Sequence, residues 1–147
     1  MFKNQRGQAT VEFLIVSLLL FTILFGAVDY WACMVRIQQA EHVKNYYLDR
    51  VRLEGCLTDS DKSALKTRLE ELGFVVDGDG INAPTEAERV TRNISFDVNN
   101  PGDYPEVWLD ITTEFKNNPF MLGVFLGKDN KPTPKFSGKV LSEYAGE

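Results

Sequence analysis

The sequence predicts an α+β chain: a long N-terminal helix, transmembrane in its first half and amphipathic in its second, then a short helix and a small antiparallel β-sheet. Three patterns predict it. The run FLIVSLLLFTILFGAV, Phe13–Val28, carries no charge. Apolar residues then continue at helical spacing, with neither Gly nor Pro from Ala27 to Glu54. After Phe74 the period of alternation drops to two, the spacing of a half-buried strand.

The first half of the helix comes first. Extending the apolar run upstream through QATVEF gives a span from Gln8 to Val28, about 31 Å at helical rise, which matches a bilayer's hydrocarbon thickness. Within Phe13–Val28, Ser17 and Thr22 are the polar members, and each can bond back to a carbonyl of its own helix. Asp29, Tyr30 and Trp31 mark an interface, where Tyr and Trp are favoured. Lys3 and Arg6 precede the span with no acid beside them, so the N-terminus is expected inside and the remainder outside. A secretory signal peptide is the competing reading. Its apolar core is about 7–15 residues and closes on a small-x-small site, whereas this run is longer and ends in GAVDYW. Glu12 stands out, since a carboxylate in a spanning helix costs up to roughly 2.5–3.5 kcal/mol at the centre. Such a group has either a partner or a route to the headgroups.

The second half reads Ile37, Ala40, Val43, Tyr47 and Val51 on one face, with Arg36, Gln38, Gln39, Glu41, Asn45 and Asp49 on the other. One helix to Glu54 would be near 70 Å long, and Gly55 would stop it. Ser60 is the expected cap of a second helix, with Asp61 in its first turn. Leu65, Leu69 and Leu72 form its apolar stripe, and Gly73 ends it. Phe74-Val75-Val76 reads as a short strand. Val90–Val98 and Val107–Phe115 alternate as strands and are expected to pair antiparallel across Asn99–Asp103. Phe136–Leu141 is another strand, and the apolar stretch Pro119–Gly127 reads as core packing over one end of the sheet, with an exposed patch that meets a partner as the alternative.

Composition narrows function. The chain has 147 residues, 16 basic and 21 acidic, for a net charge of −5. It lacks the basic footprint of a general nucleic-acid binder. With 1 His and 2 Cys, it offers neither a multi-histidine metal site nor a four-ligand zinc site. Asp77-Gly78-Asp79-Gly80 and Glu88 invite comparison with a calcium loop, but Ile81 and Asn82 stand where an oxygen ligand and a glycine belong. An acidic turn is the expectation. No nucleophile–base pair is visible, so no catalytic residue, metal or cofactor is assigned and an enzyme is not expected. Cys33 and Cys56 read as independent thiols, since one straight helix would hold them about 34 Å apart.

The string RGQATVEF followed by an apolar helix resembles the type III signal sequence of type IV pilin-like proteins. It is most similar to TadE-like pseudopilins, whose basic leader precedes G-x-x-x-V-E-F. Here that reads Gly7-Gln8-Ala9-Thr10-Val11-Glu12-Phe13. The ending Gly138-Lys139-Val140-Leu141-Ser142-Glu143-Tyr144 also resembles an uncharacterised pilin-like family of Gram-positive conjugative elements. The resemblance implies residues 1–7 as a cleavable leader with Lys3 and Arg6 as its charges. It implies cleavage by a prepilin peptidase between Gly7 and Gln8. It makes Glu12 the fifth residue of the mature chain, pairing with a neighbouring subunit's terminal amine to set register. Residues 8–54 would be the long helix and 55–147 an extracytoplasmic α+β domain. The implied function is a pseudopilin or pilin of a type IV pilus-like or Tad-like filament or secretion–conjugation apparatus. Its partners would be the peptidase, other pilin-like subunits, a membrane assembly platform and the membrane. The alternative is an uncleaved single-pass protein with an extracytoplasmic binding domain. Many pilins begin with an aromatic residue or Met after the cut, and this chain would begin with Gln8.

Overall fold

The computed structural model describes residues 5–92, 104–117 and 131–146, with side chains from residue 7 onward. It divides into two compact units, Met1–Val35 with Asn118–Lys131 and Arg36–Asn117 with Pro132–Glu147. The elements are α1 (Gln5–Glu54), α2 (Asp59–Glu71), β1 (Phe74–Val75), β2 (Ile81–Asn82), a 3-10 turn (Glu86–Glu88), β3 (Glu106–Thr112), β4 (Glu114–Phe115) and β5 (Lys135–Leu141). The α+β expectation holds, with a long first helix, a short second one and small antiparallel sheets.

In the first unit, α1 starts at Gln5 and passes through Gly7 without a break. Its side chains are outward. Phe13 is 69% exposed and Leu18 68%, and among the described residues of this unit it is Cys33, near the end of the segment, that is buried. Thr22 Oγ1 donates to Leu19 O at 2.7 Å, the back-bond its sequence position suggested.

In the second unit, the distal part of α1 buries Ala40, Tyr47, Leu48 and Val51. Ala40, Tyr47 and Val51 lie on the face the periodicity marked, and Leu48 joins them. Gly55 ends the helix at φ +73°, where a side chain is strained. A Cβ there would also strike Val90 O, because Val90 N donates to Gly55 O at 3.0 Å. The cap of α2 is Thr58, not Ser60. Thr58 has extended backbone and its Oγ1 accepts from Asp61 N at 3.2 Å. The segment offers several capping residues in a row, and Thr58 wins because its hydroxyl reaches an amide three residues on. Ser60 then falls inside the first turn. Leu65 and Leu69 are fully buried, whereas Leu72 is the half-buried C-cap.

Two sheets follow. β1 pairs with β4, Phe74 opposite Phe115, and the two rings stand 4.8 Å apart. The second sheet has the order β2-β3-β5, with Val107 opposite Val140 and Ile111 opposite Phe136. Val107, Leu109 and Ile111 point inward and their neighbours outward, the burial alternation the sequence predicted. The expected strand at 107–115 is broken at Thr113, whose N–H and hydroxyl both donate to Pro134 O. The described partners of β3 are β2 and β5. The expected strand at 90–98 lies outside the described residues beyond Arg92, as does the apolar stretch 119–127. Asp77–Gly80 is a turn closed by Gly80 N donating to Asp77 O at 2.8 Å. It is the expected turn, with a two-residue strand directly after it.

Candidate functional site: the exposed N-terminal helix and its anchored domain

Helical spacing places Gln8, Val11, Glu12 and Ile15 on one face of α1. Gly7, Gln8 and Glu12 are all exposed, and a Cβ on Gly7 would meet nothing within 4 Å. Around Glu12 the helix presents Val11 (57% exposed), Phe13, Ile15 (60%) and Val16. Among the described residues none forms an ion pair with Glu12. Its carboxylate is thus set in an apolar helix surface without a counter-charge among the described residues. Of the leader charges, Lys3 lies outside the described residues. Arg6 lies within α1, but its side chain is outside them.

From Gly7 onward α1 contains a window long and apolar enough to cross a membrane, none of it buried. A surface of this kind has to be covered by lipid or by other helices. Residues 7–42 match the family model described as TadE-like protein. Over that stretch the chain is similar to TadE-like proteins. The match begins at the glycine of the expected cleavage site and takes in Gln8, Glu12 and the whole apolar run. It stops at His42, inside α1 and a short way into the second unit, so the chain from Val43 onward lies beyond the matched segment. No curated protein and no solved structure matches the chain.

The second unit is fastened to the distal part of α1 by the C-terminal motif, and each of its marked residues has a contact. Gly138 lets β5 approach the helix, since a Cβ there would sit 2.6 Å from Leu48 Cδ2. Lys44 Nζ donates to Ser137 O at 3.2 Å. Ser142 is buried, and its hydroxyl donates to Val90 O at 2.6 Å. Glu143 N donates to Arg52 O at 2.8 Å, and its carboxylate pairs with the Arg52 guanidinium. Tyr144 O accepts from Arg92 N at 2.6 Å. The Tyr144 ring lies 5.0 Å beneath the Arg89 guanidinium, which donates to Tyr144 Oη and to the buried Cys56 Sγ.

The electrostatics follow these contacts. Hydrogen bonds to Cys56 and then Tyr144 raise the pKa of Arg89 above its ordinary value. The bond to Glu143 does the same for Arg52. Arg50 reaches Asp61 at 2.8 Å, where the carboxylate is almost fully buried. Burial works against the Arg50 charge, but Glu54 and Asp61 outweigh it and its pKa is raised. These groups are firmly charged cations holding α1, α2 and the tail together, the opposite of residues poised for proton transfer. Among the described residues no group of three or more His, Cys, Asp or Glu could hold a metal. His42 is an exposed helix residue.

Sequence reasoning missed the Arg89–Cys56–Tyr144 cluster and the Arg50–Asp61 pair. Their members come from distant parts of the chain and share no spacing rule. The ending from Gly138 to Tyr144 was the available signal.

Proposed function

We propose that this chain is a structural, pilin-like subunit of a Tad-type pilus or a related secretion or conjugation apparatus, membrane-anchored by the first half of α1. The observation that carries this reading is Glu12: an exposed carboxylate, unmatched by any described cation, on an exposed apolar helix five positions after Gly7 in the TadE-like segment. In an apolar bundle such a charge demands a counter-ion. Cleavage between Gly7 and Gln8 would create one, the new α-amine, on every subunit. A neighbour's amine on Glu12 would fix the axial offset between adjacent helices, as buried polar pairs fix register elsewhere. Lys3 and Arg6 would hold the leader on the cytoplasmic side until a prepilin peptidase removes it. Other pilin-like subunits and a membrane assembly platform would take up the processed helix, carrying the α+β unit to the cell surface.

A second reading has its own support. The Gly7–Gln8 bond lies inside α1, which begins at Gln5, so the first turn must unwind before a peptidase can engage it. An uncleaved single-pass protein with an extracytoplasmic binding domain would keep that turn. The N-terminus and intact mass of the chain from native membranes, with and without active peptidase, separate the two. A chain starting at Gln8 only when the peptidase is active supports the pilin-like subunit. A chain starting at Met1 in both samples favours the uncleaved anchor.

A further inference from the structure

We infer that Gln8, once released by cleavage after Gly7, is a self-modification site: in subunits whose terminal amine is unpaired, it closes to 5-oxoproline. The inference rests on the processing proposed above and extends it to the fate of the new N-terminus.

The chemistry belongs to glutamine. An N-terminal Gln carries its amine and its side-chain amide at five-membered-ring distance. The amine nitrogen attacks Cδ, the new N–Cδ bond forms, the Cδ–Nε2 bond breaks, and ammonia leaves with the proton lost by the attacking amine. No oxidant, reductant or co-reactant is needed. A terminal α-amine ordinarily titrates at about pH 7.7–8.0, so part of it is unprotonated and nucleophilic at neutral pH.

Three observations favour closure at this position. The Gln8 side chain is exposed, and among the described residues none hydrogen-bonds it, so its amide is not held away from the backbone nitrogen. Gly7 is equally open, so nothing described shields the new terminus. Gln8 also lies in helical backbone. Ring closure turns the charged terminal amine into a neutral lactam N–H. An ammonium at a helix N-terminus, by contrast, sits against the positive end of the helix dipole. Ring closure removes that charge and leaves the helix intact.

The modification competes with register setting. An amine paired with a neighbour's Glu12 is held protonated and is no nucleophile. Ring-closed Gln8 has no ammonium to offer. The state of Gln8 therefore reports whether a processed subunit has been paired, and a subunit left too long in the membrane loses the group that Glu12 requires.

The test uses the full chain produced with an active prepilin peptidase in cells lacking the other subunits and the platform. Free amines are trapped in isolated membranes by reductive methylation with deuterated reagent before extraction, and the N-terminal fragment is weighed. The expected result is that most chains begin at residue 8, lack the mass of one ammonia and take up no label. In Gln8→Ser, which cannot close, every chain that begins at residue 8 should carry the label. Chains beginning at Gln8 that carry deuterated or natural methyl groups overturn the ring closure and leave the processing standing. Chains beginning at Met1 despite active peptidase overturn both.

Discussion

At the scale of single residues, Glu12 is the position where apolar surroundings and ionic chemistry conflict. Replacing it by Ala removes a charge whose cost in the span is up to roughly 2.5–3.5 kcal/mol, so membrane insertion should be unchanged or improved. On the proposed pairing, assembly should be lost, because a neighbour's amine would then have no carboxylate to meet. Cell fractionation with an assay for sheared surface filament checks both halves. Normal filament from Glu12→Ala would end the register argument. The glycines give a second residue-level contrast. Gly73 (φ +87°) would place a Cβ only against the tip of Arg36, at 3.6 Å. Gly73→Ala should therefore cost about 1–2 kcal/mol, the left-handed backbone penalty. Gly55→Ala adds a clash with a backbone carbonyl, Val90 O, which cannot swing aside. Denaturant midpoints should place Gly55→Ala clearly below Gly73→Ala, and equal midpoints would mean that Val90 yields freely.

At the scale of elements, what was legible in the sequence follows from how locally each feature is encoded. The distal face of α1 was readable because burial recurs at the helical period, and the ends of both helices because Gly55 and Gly73 carry positive φ. The alternation in β3 was readable for the same local reason. The pairing of β3 was not, because β5 is joined to it through residues whose separation no periodicity encodes. Leu48 was missed because the backbone it packs against, at Gly138, comes from a distant part of the chain and has no side chain to mark it. This contact makes a prediction. Gly138→Ala inserts a methyl against Leu48 and should destabilise the domain by about 1–3 kcal/mol as an overpacked site. Because Leu48 is itself flexible, Leu48→Ala in the same chain should recover part of that loss relative to the sum of the single changes. Strict additivity in urea unfolding would show that β5 and α1 do not press on each other there.

At the scale of the whole molecule, one continuous helix serves two chemically different settings, and the C-terminal tail fastens the α+β unit to its distal part. The tail from Ser142 to Tyr144 supplies backbone bonds to Pro105 O, Arg52 O and Arg92 N, the hydroxyl bond to Val90 O, and the Arg52 and Arg89 contacts. A typical hydrogen bond contributes about 0.5–1.5 kcal/mol net, and exposed ion pairs such as Arg52–Glu143 add little. Ending the chain after Leu141 should therefore remove several kcal/mol from a domain whose total stability is of order 5–15 kcal/mol. The loss should be concentrated where the tail lies. Amides of residues 88–92 and of the last turn of α1 should exchange faster, while those of the apolar first half of α1, which belongs to the other unit, should be unaffected. Hydrogen exchange on the full-length and shortened chains in detergent measures both regions in one experiment. Unchanged protection near Val90 and Arg52 would mean that the tail rests on a domain already complete without it. The ending Gly138–Tyr144 would then need an explanation outside the fold, such as a contact with another subunit.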